Sequence, residues 1–307
     1  MDFTPFLQQV TCRPALERDL EEIKEFCRTI WDGHDYIADV IEDWLHDPRP
    51  GLFAVAEYEG RAIACSKLTW LAEGQWWLEG FRVDPRYQHR GVGSLIHHYV
   101  DRWWLGHGNG ELRLMTSSKN TSVHHLCEST GFQKIFEVRG YKAEPLEESV
   151  DAFDSAASSE QDLDPVVEFR RRSPSLSLTN RVVDFGWRFA DPTPDRTLTF
   201  LFYLYSDFGN NFFWWRDRRG LLIVWDDFDP NDEEFTMGIG VLACELEDLS
   251  AFLVDVRRLA AKQRRTSVFW LAPIHEPVEQ ALKQAGYSSD WENTAYIYEK
   301  KHAAPST

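Results

Sequence analysis

Trp76-Trp77-Leu78-Glu79-Gly80-Phe81-Arg82-Val83-Asp84-Pro85-Arg86-Tyr87-Gln88-His89-Arg90-Gly91-Val92-Gly93-Ser94-Leu95-Ile96-His97-His98-Tyr99 holds three consecutive pieces. An apolar run stops at Asp84-Pro85. A basic turn follows, broken by Gly91 and Gly93, and then Leu95, Ile96, Tyr99 and Val100 recur at helical spacing. A strand that turns in this way into a helix aims several backbone N–H groups and the positive end of the helix dipole at one point. Such a point suits a phosphate.

Outward from this stretch, the chain predicts a mixed α/β fold. Thr11 to Ala15 reads as a first strand, and Asp19 as the cap of a helix carrying Leu20, Ile23, Phe26, Cys27 and Ile30. A second helix is expected from Asp35 to His46, stopped by Asp47-Pro48. The polar, aromatic segment Trp31 to Tyr36 between them is either a substrate-facing loop or a plain connector. Leu52–Tyr58, Arg61–Leu71 and Gln75–Val83 form a three-stranded meander with a tight turn at Glu59-Gly60. A helix from Val92 to about Leu105, a strand at Glu111–Thr116, a helix at Ser122–Thr130 closed by Gly131-Phe132, and a strand at Phe136–Lys142 complete the layer.

Glu144 to Asp164 is acidic, with Ser and Ala, and reads as a linker. Beyond it, strand-like runs at Asn180–Phe189, Thr197–Tyr205, Leu221–Asp226 and Thr236–Cys244 precede a helix at Asp248–Lys262. Ser267–Leu271, Pro277–Ala285 with Gly286-Tyr287, and Ala295–Glu299 then repeat the strand, helix, strand order of the first half. The expected organisation is a first domain over 1–143, a linker over 144–164 and a diverged copy over 165–307. The copy has Glu245 and Glu247 where the first half has its glycine turn, so it is not expected to bind phosphate there. Phe212-Phe213-Trp214-Trp215 reads as core more readily than as the lining of a groove.

A chain of 307 residues has room for two cores, since single cores stop growing near 250–300 residues. The 33 basic and 50 acidic residues give a net charge of −17, which disfavours nucleic acid and anionic membrane as partners. Five scattered cysteines without a Cys-x-x-Cys pair suggest neither a disulfide framework nor a metal site, and fit a cytoplasmic location. No run approaches the roughly 20 apolar residues of a membrane span.

Val83-Asp84-Pro85 followed by Gln88-x-x-Gly91-x-Gly93, with Arg13-Pro14-Ala15 and Asp19-Leu20 before and Asn120 to Gly131-Phe132 after, resembles the GCN5-related N-acetyltransferase (GNAT) superfamily over about residues 10 to 143. The resemblance implies a GNAT-like mixed sheet flanked by helices, followed by a second, diverged GNAT-like domain. It implies acetyl-CoA as cosubstrate and no metal. The pyrophosphate would lie on the amides of Arg90, Gly91, Val92, Gly93 and Ser94, with Gln88 and Arg90 assisting and His89 in the same turn. The pantetheine arm would follow Phe81, Arg82 and Val83, and Asn120 matches a position that touches this arm or caps a helix.

The implied chemistry is attack of an uncharged amine on a thioester, which needs a base. Glu79, between Leu78 and Gly80 on the strand before the turn, is the candidate; apolar seclusion would favour its taking a proton. Cys127 stands where the family often carries a tyrosine that protonates the departing thiolate, but a cysteine on a helix face is more often a small core residue. His124, His125 and Tyr99 are substitutes.

Ile30-Trp31-Asp32-Gly33-His34-Asp35-Tyr36, Trp44-Leu45-His46-Asp47-Pro48 and Leu78 to Val83 are similar to the histidine N-acetyltransferase group. That similarity implies a free amino acid or like small amine as acceptor, near Trp31, Asp35, Tyr36 and Glu79, in a monomer or homodimer. A protein-lysine acetyltransferase and a non-catalytic acyl-CoA sensor are the alternatives.

Overall fold

The computed structural model describes residues 3–30, 35–148, 151–156, 163–191, 211–229 and 234–302. The chain forms two compact units, one of Met1–Leu114, Ser122–Gln133 and Glu299–Thr307, the other of Met115–Thr121 and Lys134–Tyr298. This division differs from the expected boundary at Glu144–Asp164, because residues 138–143 pair with 268–273 and fall in the second unit, while the chain end from Glu299 falls in the first. Neither long-range relation leaves a mark in local composition.

In the first unit, α1 (Thr4–Leu7) leads into β1 (Thr11–Pro14), α2 (Leu20–Cys27), α3 (Ile37–Leu45), β2 (Gly51–Tyr58), β3 (Arg61–Ala72), β4 (Gln75–Val83) and α4 (Val92–His107). β5 (Gly110–Ser117) and α5 (Thr121–Ser129) follow, their bulk in this unit. β1 to β4 pair antiparallel in sequence order, and β5 then pairs parallel to β4, with α4 as the crossover. Ile23, Phe26, Ile37, Ile41 and Trp44 bury the inner faces of α2 and α3 against Phe53, Val55 and Cys65. Asp19 is nearly fully buried, but its carboxylate does not cap α2. It accepts the Leu16 N–H at 2.8 Å and both Arg13 terminal nitrogens at 2.7 and 2.8 Å, pinning the first turn to β1.

The second unit holds β6 (Gln133–Ala143), β7 (Phe153–Ser155), α6 (Leu163–Arg172), α7 (Pro174–Ser177), β8 (Val183–Asp184), β9 (Phe189–Ala190), β10 (Phe212–Trp215), β11 (Gly220–Asp229) and β12 (Glu234–Cys244). α8 (Leu249–Lys262), β13 (Ser267–Pro273) and α9 (Glu276–Gln284) complete it. β7, β10, β11 and β12 pair antiparallel in that order, and β13 pairs parallel to β12 across α8. The first unit's order of four antiparallel strands, a helix and a parallel strand is thus repeated. β14 (Ala295–His302) crosses the division: its final residues reach the first unit, where Arg113 Nε donates to Glu299 at 2.8 Å and Lys300 Nζ to Asp101 at 2.6 Å.

Two expectations need correction. The segment expected as a linker contributes β7, with Ala152 and Ala156 buried on either side of it, because three residues on a sheet edge need no long apolar run. Asn180–Phe189 is no full strand but the short hairpin β8–β9. Thr197–Tyr205 lies outside the described residues. Phe212 to Trp215 are all buried, with Trp215 stacked on Phe252 at 4.6 Å, so this run is core.

The β8–β9 hairpin buries Asp184, whose Oδ1 accepts the Trp187 N–H at 2.7 Å and whose Oδ2 has no partner among the described residues. Burial pushes this carboxyl up to about 8. The native state therefore holds a proton that the unfolded chain releases near pH 4, and stability falls as pH rises from there toward 8. Urea unfolding at pH 5, 6.5 and 8 is expected to show Asp184→Asn gaining on the parent protein by up to about 1.4 kcal/mol per pH unit. A pH-independent difference would contradict this assignment.

Candidate functional site

The turn between β4 and α4 is built by short-range bonds. Buried Asp84 accepts the Arg86 N–H at 2.9 Å, closing a 3-10 turn over Pro85–Tyr87. Gln88 Nε2 then donates back to the Val83 carbonyl at 3.1 Å. His89 and Gly91 take left-handed conformations, φ 59° and 89°. The first intrahelical bond of α4 runs from Leu95 N–H to Gly91 O at 3.1 Å, so the amides of Val92, Gly93 and Ser94 have no acceptor within the helix.

The two glycines act differently. Gly91 is required by its φ, and a Cβ there would also meet Leu7 Cδ1 at 2.9 Å. At Gly93 a Cβ would stand 3.2 Å from Phe81 Cζ and 3.6 Å from Val83 Cγ2, so it is close packing of α4 on β4 that requires a small residue. Arg90 lies over the rings of Phe6 and Tyr87, at 5.7 and 5.6 Å, which settles its guanidinium against α1. Gln88 and His89 are exposed.

β4 carries a bulge that reorganises its side chains. Arg82 pairs with Cys65 and Glu79 with Lys67, so three steps on β4 match two on β3. Gly80, φ 62°, absorbs the extra residue. Without the bulge Glu79 and Arg82 would point to opposite faces; with it they share one. Phe81 points the other way, toward Gly93 and His97 of α4. An isolated glycine in a strand pattern is the sequence signal for such a bulge.

The shared face collects polar groups. Arg82 donates to Asp35, Nε to Oδ2 at 2.7 Å and Nη2 to Oδ1 at 3.2 Å, and its guanidinium lies 5.8 Å from the Tyr36 ring. Glu79 accepts the Thr69 hydroxyl at 2.5 Å. Lys67, across the ribbon from Glu79, gives its ammonium to Asp47 at 3.1 Å. The apolar seclusion expected for Glu79 is thus corrected: a threonine and a lysine of β3 stand beside it. Thr69, Lys67 and Asp47 escaped sequence reading because only strand register brings them to Glu79. Asp35 is bound to Arg82, while Tyr36 is 43% exposed. Trp31 lies outside the described residues.

Cys127 is enclosed among core residues of the first unit, and burial pushes its thiol up to about 12, with Glu128 adding to the shift. This is the environment of a packing residue. Asn120 is exposed just before α5, and its N–H donates to the Ser117 carbonyl at 2.9 Å. His97 on α4 is buried with Nε2 2.9 Å from the Thr130 hydroxyl, and burial pulls it down to about 4, so it is neutral at pH 7.

The second unit has a cavity of about 630 Å³ between the end of α6, the β10–β11 hairpin and the turn before α8. Glu245, Glu247 and Asp248 line it where the first unit carries Gly91 to Ser94. Carboxylates at the helix start oppose an anion there, the paired Arg219 and Asp248 neutralise one another, and Arg172, paired with Glu168, and Arg218 complete the charged lining. Among the described residues no group of three His, Cys, Asp or Glu side chains is placed to hold a metal, and no helix is long and apolar enough to cross a membrane.

Residues 17–132 match the family model described as Acetyltransferase (GNAT) family. No curated protein matches the sequence. Among solved structures, a GCN5-related N-acetyltransferase from Sphaerobacter thermophilus superposes with a TM-score of 0.61 at 14% identity, covering 95% of both chains. A tandem GNAT protein from the clavulanic acid biosynthesis pathway gives 0.59 at 10% identity, covering 97% of this chain and all of that one. A fungal GCN5-related glucosamine N-acetyltransferase region gives 0.66 at 12% identity over 95% of this chain and 38% of that one. At such identities the likeness is one of fold, and it extends over both units.

Proposed function

We propose that the GNAT-family acetyltransferase domain which opens this chain moves an acetyl group from acetyl-CoA to the amine of a small molecule, an amino acid or similar, with Glu79 as general base. The observation that carries this reading is the bulge at Gly80, which sets Glu79 and Arg82, the latter bound to Asp35, on one face of β4 just before a turn whose helix-opening amides have no acceptor within the helix. The turn fits a pyrophosphate: Val92, Gly93 and Ser94 offer N–H groups at the positive end of a 16-residue helix.

In this reading, the amine nitrogen attacks the thioester carbonyl, Glu79 takes the proton it sheds, and the carbon–sulfur bond breaks to release CoA thiolate. Thr69 fixes one Glu79 oxygen, which orients the carboxylate for proton transfer. Cys127 is too enclosed to protonate the thiolate, which as a tolerable leaving group takes its proton from solvent. Tyr36 and the Asp35–Arg82 pair would flank the acceptor, in keeping with the similarity to the histidine N-acetyltransferase group. The burial of Phe212 to Trp215 removes the aromatic run that a protein-lysine acetyltransferase could have used as a groove.

The test is release of CoA thiol from acetyl-CoA over a panel of free amino acids, polyamines, amino sugars and lysine peptides. Turnover is expected with a free α-amino acid, histidine among them. Activity confined to peptides would turn the assignment to the protein-directed alternative, and no turnover with any amine would sink both.

A further inference from the structure

Lys67 is a cation in the middle of β3 with a side chain only 3% exposed. Burying an ammonium is costly unless partners offset it. The partners are all in place. Asp47, in the loop after α3, receives Nζ at 3.1 Å, and Asp47 is held in turn by the Arg49 Nε at 2.8 Å and the Arg49 N–H at 3.1 Å. Burial opposes the Asp47 charge, but Arg49 and Lys67 outweigh it and hold the carboxyl down at about 2. Gly51 of β2 lies beside the ammonium: a Cβ there would stand 3.6 Å from Nζ, though it is the Leu68 carbonyl, 2.6 Å from that Cβ, that excludes a side chain.

Lys67 is also the cross-strand partner of Glu79. Side chains so paired have Cβ atoms about 4.5–5.5 Å apart, close enough for charges to act on each other. The charged groups facing Lys67 are Asp47, Glu79 and Arg49; its β2 partner is the apolar Phe53. Burial lowers the Lys67 pKa, and Asp47 and Glu79 act against that shift. An ion pair kept only for stability could be replaced by apolar residues at little loss. One set opposite a strand carboxylate, beside the Arg82–Asp35 pair, has a further use.

We infer that Lys67, anchored by Asp47, is a positioning residue for the reaction: its ammonium fixes the direction of the Glu79 carboxylate before the acceptor amine arrives. This rests on the reading of Glu79 as base. Lys67 touches neither substrate in this scheme and acts only through Glu79, whose carboxylate Thr69 also holds.

The test compares pH–rate profiles of kcat/KM for the parent protein, Lys67→Met, Lys67→Arg, Glu79→Gln and the double variant Lys67→Met/Glu79→Gln. The probes are acetyl-CoA and the free amino acid turned over fastest in the panel above. Lys67→Met is expected to lower kcat about tenfold across the profile while leaving the KM for acetyl-CoA within about twofold. Lys67→Arg should restore most of the rate, and the double variant should be no slower than Glu79→Gln alone. A parent-like profile in Lys67→Met, with Glu79→Gln impaired, overturns the role of Lys67 and leaves Glu79 as base. Full activity of Glu79→Gln overturns both. Should Lys67→Met fail to fold by circular dichroism, Lys67→Gln, which keeps a polar end at similar length, carries the same expectations.

Discussion

Glu79→Gln is expected to cut turnover at least tenfold, and as far as the roughly 10²–10⁴-fold range that loss of a general base can reach, while acetyl-CoA affinity stays within about twofold. The amide can still accept the Thr69 hydroxyl, so the strand geometry should survive. It cannot take a proton from an ammonium-forming attack, and at neutral pH most amines are protonated before they bind. The loss should therefore fall on kcat and kcat/KM together, the signature of an interaction made in the transition state. Isothermal titration with acetyl-CoA and single-turnover acetylation separate the two quantities. Unchanged turnover would place the base elsewhere, whereas equal loss of binding and turnover would mean that Glu79 serves the cofactor. A protein that binds acetyl-CoA yet never turns over, parent and variant alike, would be a sensor.

The parts of this site that depend on neighbours in sequence were legible without a structure. Asp84-Pro85, the left-handed positions near Gly91 and the apolar spacing of Ile96 and Val100 are local signals, and the β4–turn–α4 element follows from them. The repeat of the second half was legible for the same reason, since α8, β13 and α9 each carry their own periodicity. What escaped were relations set by register and tertiary packing. Arg82 meets Asp35 across 47 positions and Lys67 faces Glu79 across twelve, and both depend on a bulge whose only trace is Gly80. Cys127 shows the converse. Spacing placed it where a catalytic acid is common, but spacing carries no burial, and the enclosed thiol is a core residue. The return of the last strand to the first unit is equally silent in sequence, because Glu299 and Lys300 find Arg113 and Asp101 nearly two hundred positions away.

Gly80→Ala is expected to cost about 2–4 kcal/mol of stability and most of the activity, the largest effect of any single methyl group in this site. Two strains add. The φ of 62° is left-handed, where a Cβ costs about 1–2 kcal/mol, and the added Cβ would lie 2.4 Å from Trp44 Cζ3 and 2.5 Å from Cη2. Trp44 cannot swing aside cheaply, because its ring is held edge-on between Phe53 at 5.8 Å and Tyr36 at 6.1 Å. The strain can be relieved in two ways, and both reach the site. If Trp44 moves, Tyr36 moves with it, and the face offered to the acceptor changes. If the bulge flattens instead, the alternation of β4 is restored, Arg82 leaves Asp35, and Glu79 loses its register with Lys67. Urea unfolding should show a lower midpoint at an unchanged slope, which marks loss of stability without a change in the surface exposed. The double variant Gly80→Ala/Trp44→Leu distinguishes the strains: removing the ring should recover the packing part of the loss but not the part due to φ. Activity should return only if Glu79 and Arg82 regain one face. Full stability and activity in Gly80→Ala would mean that neither the bulge nor the approach of Trp44 is needed, and with them would go the argument that one glycine sets base and acceptor residues on the same side of the strand.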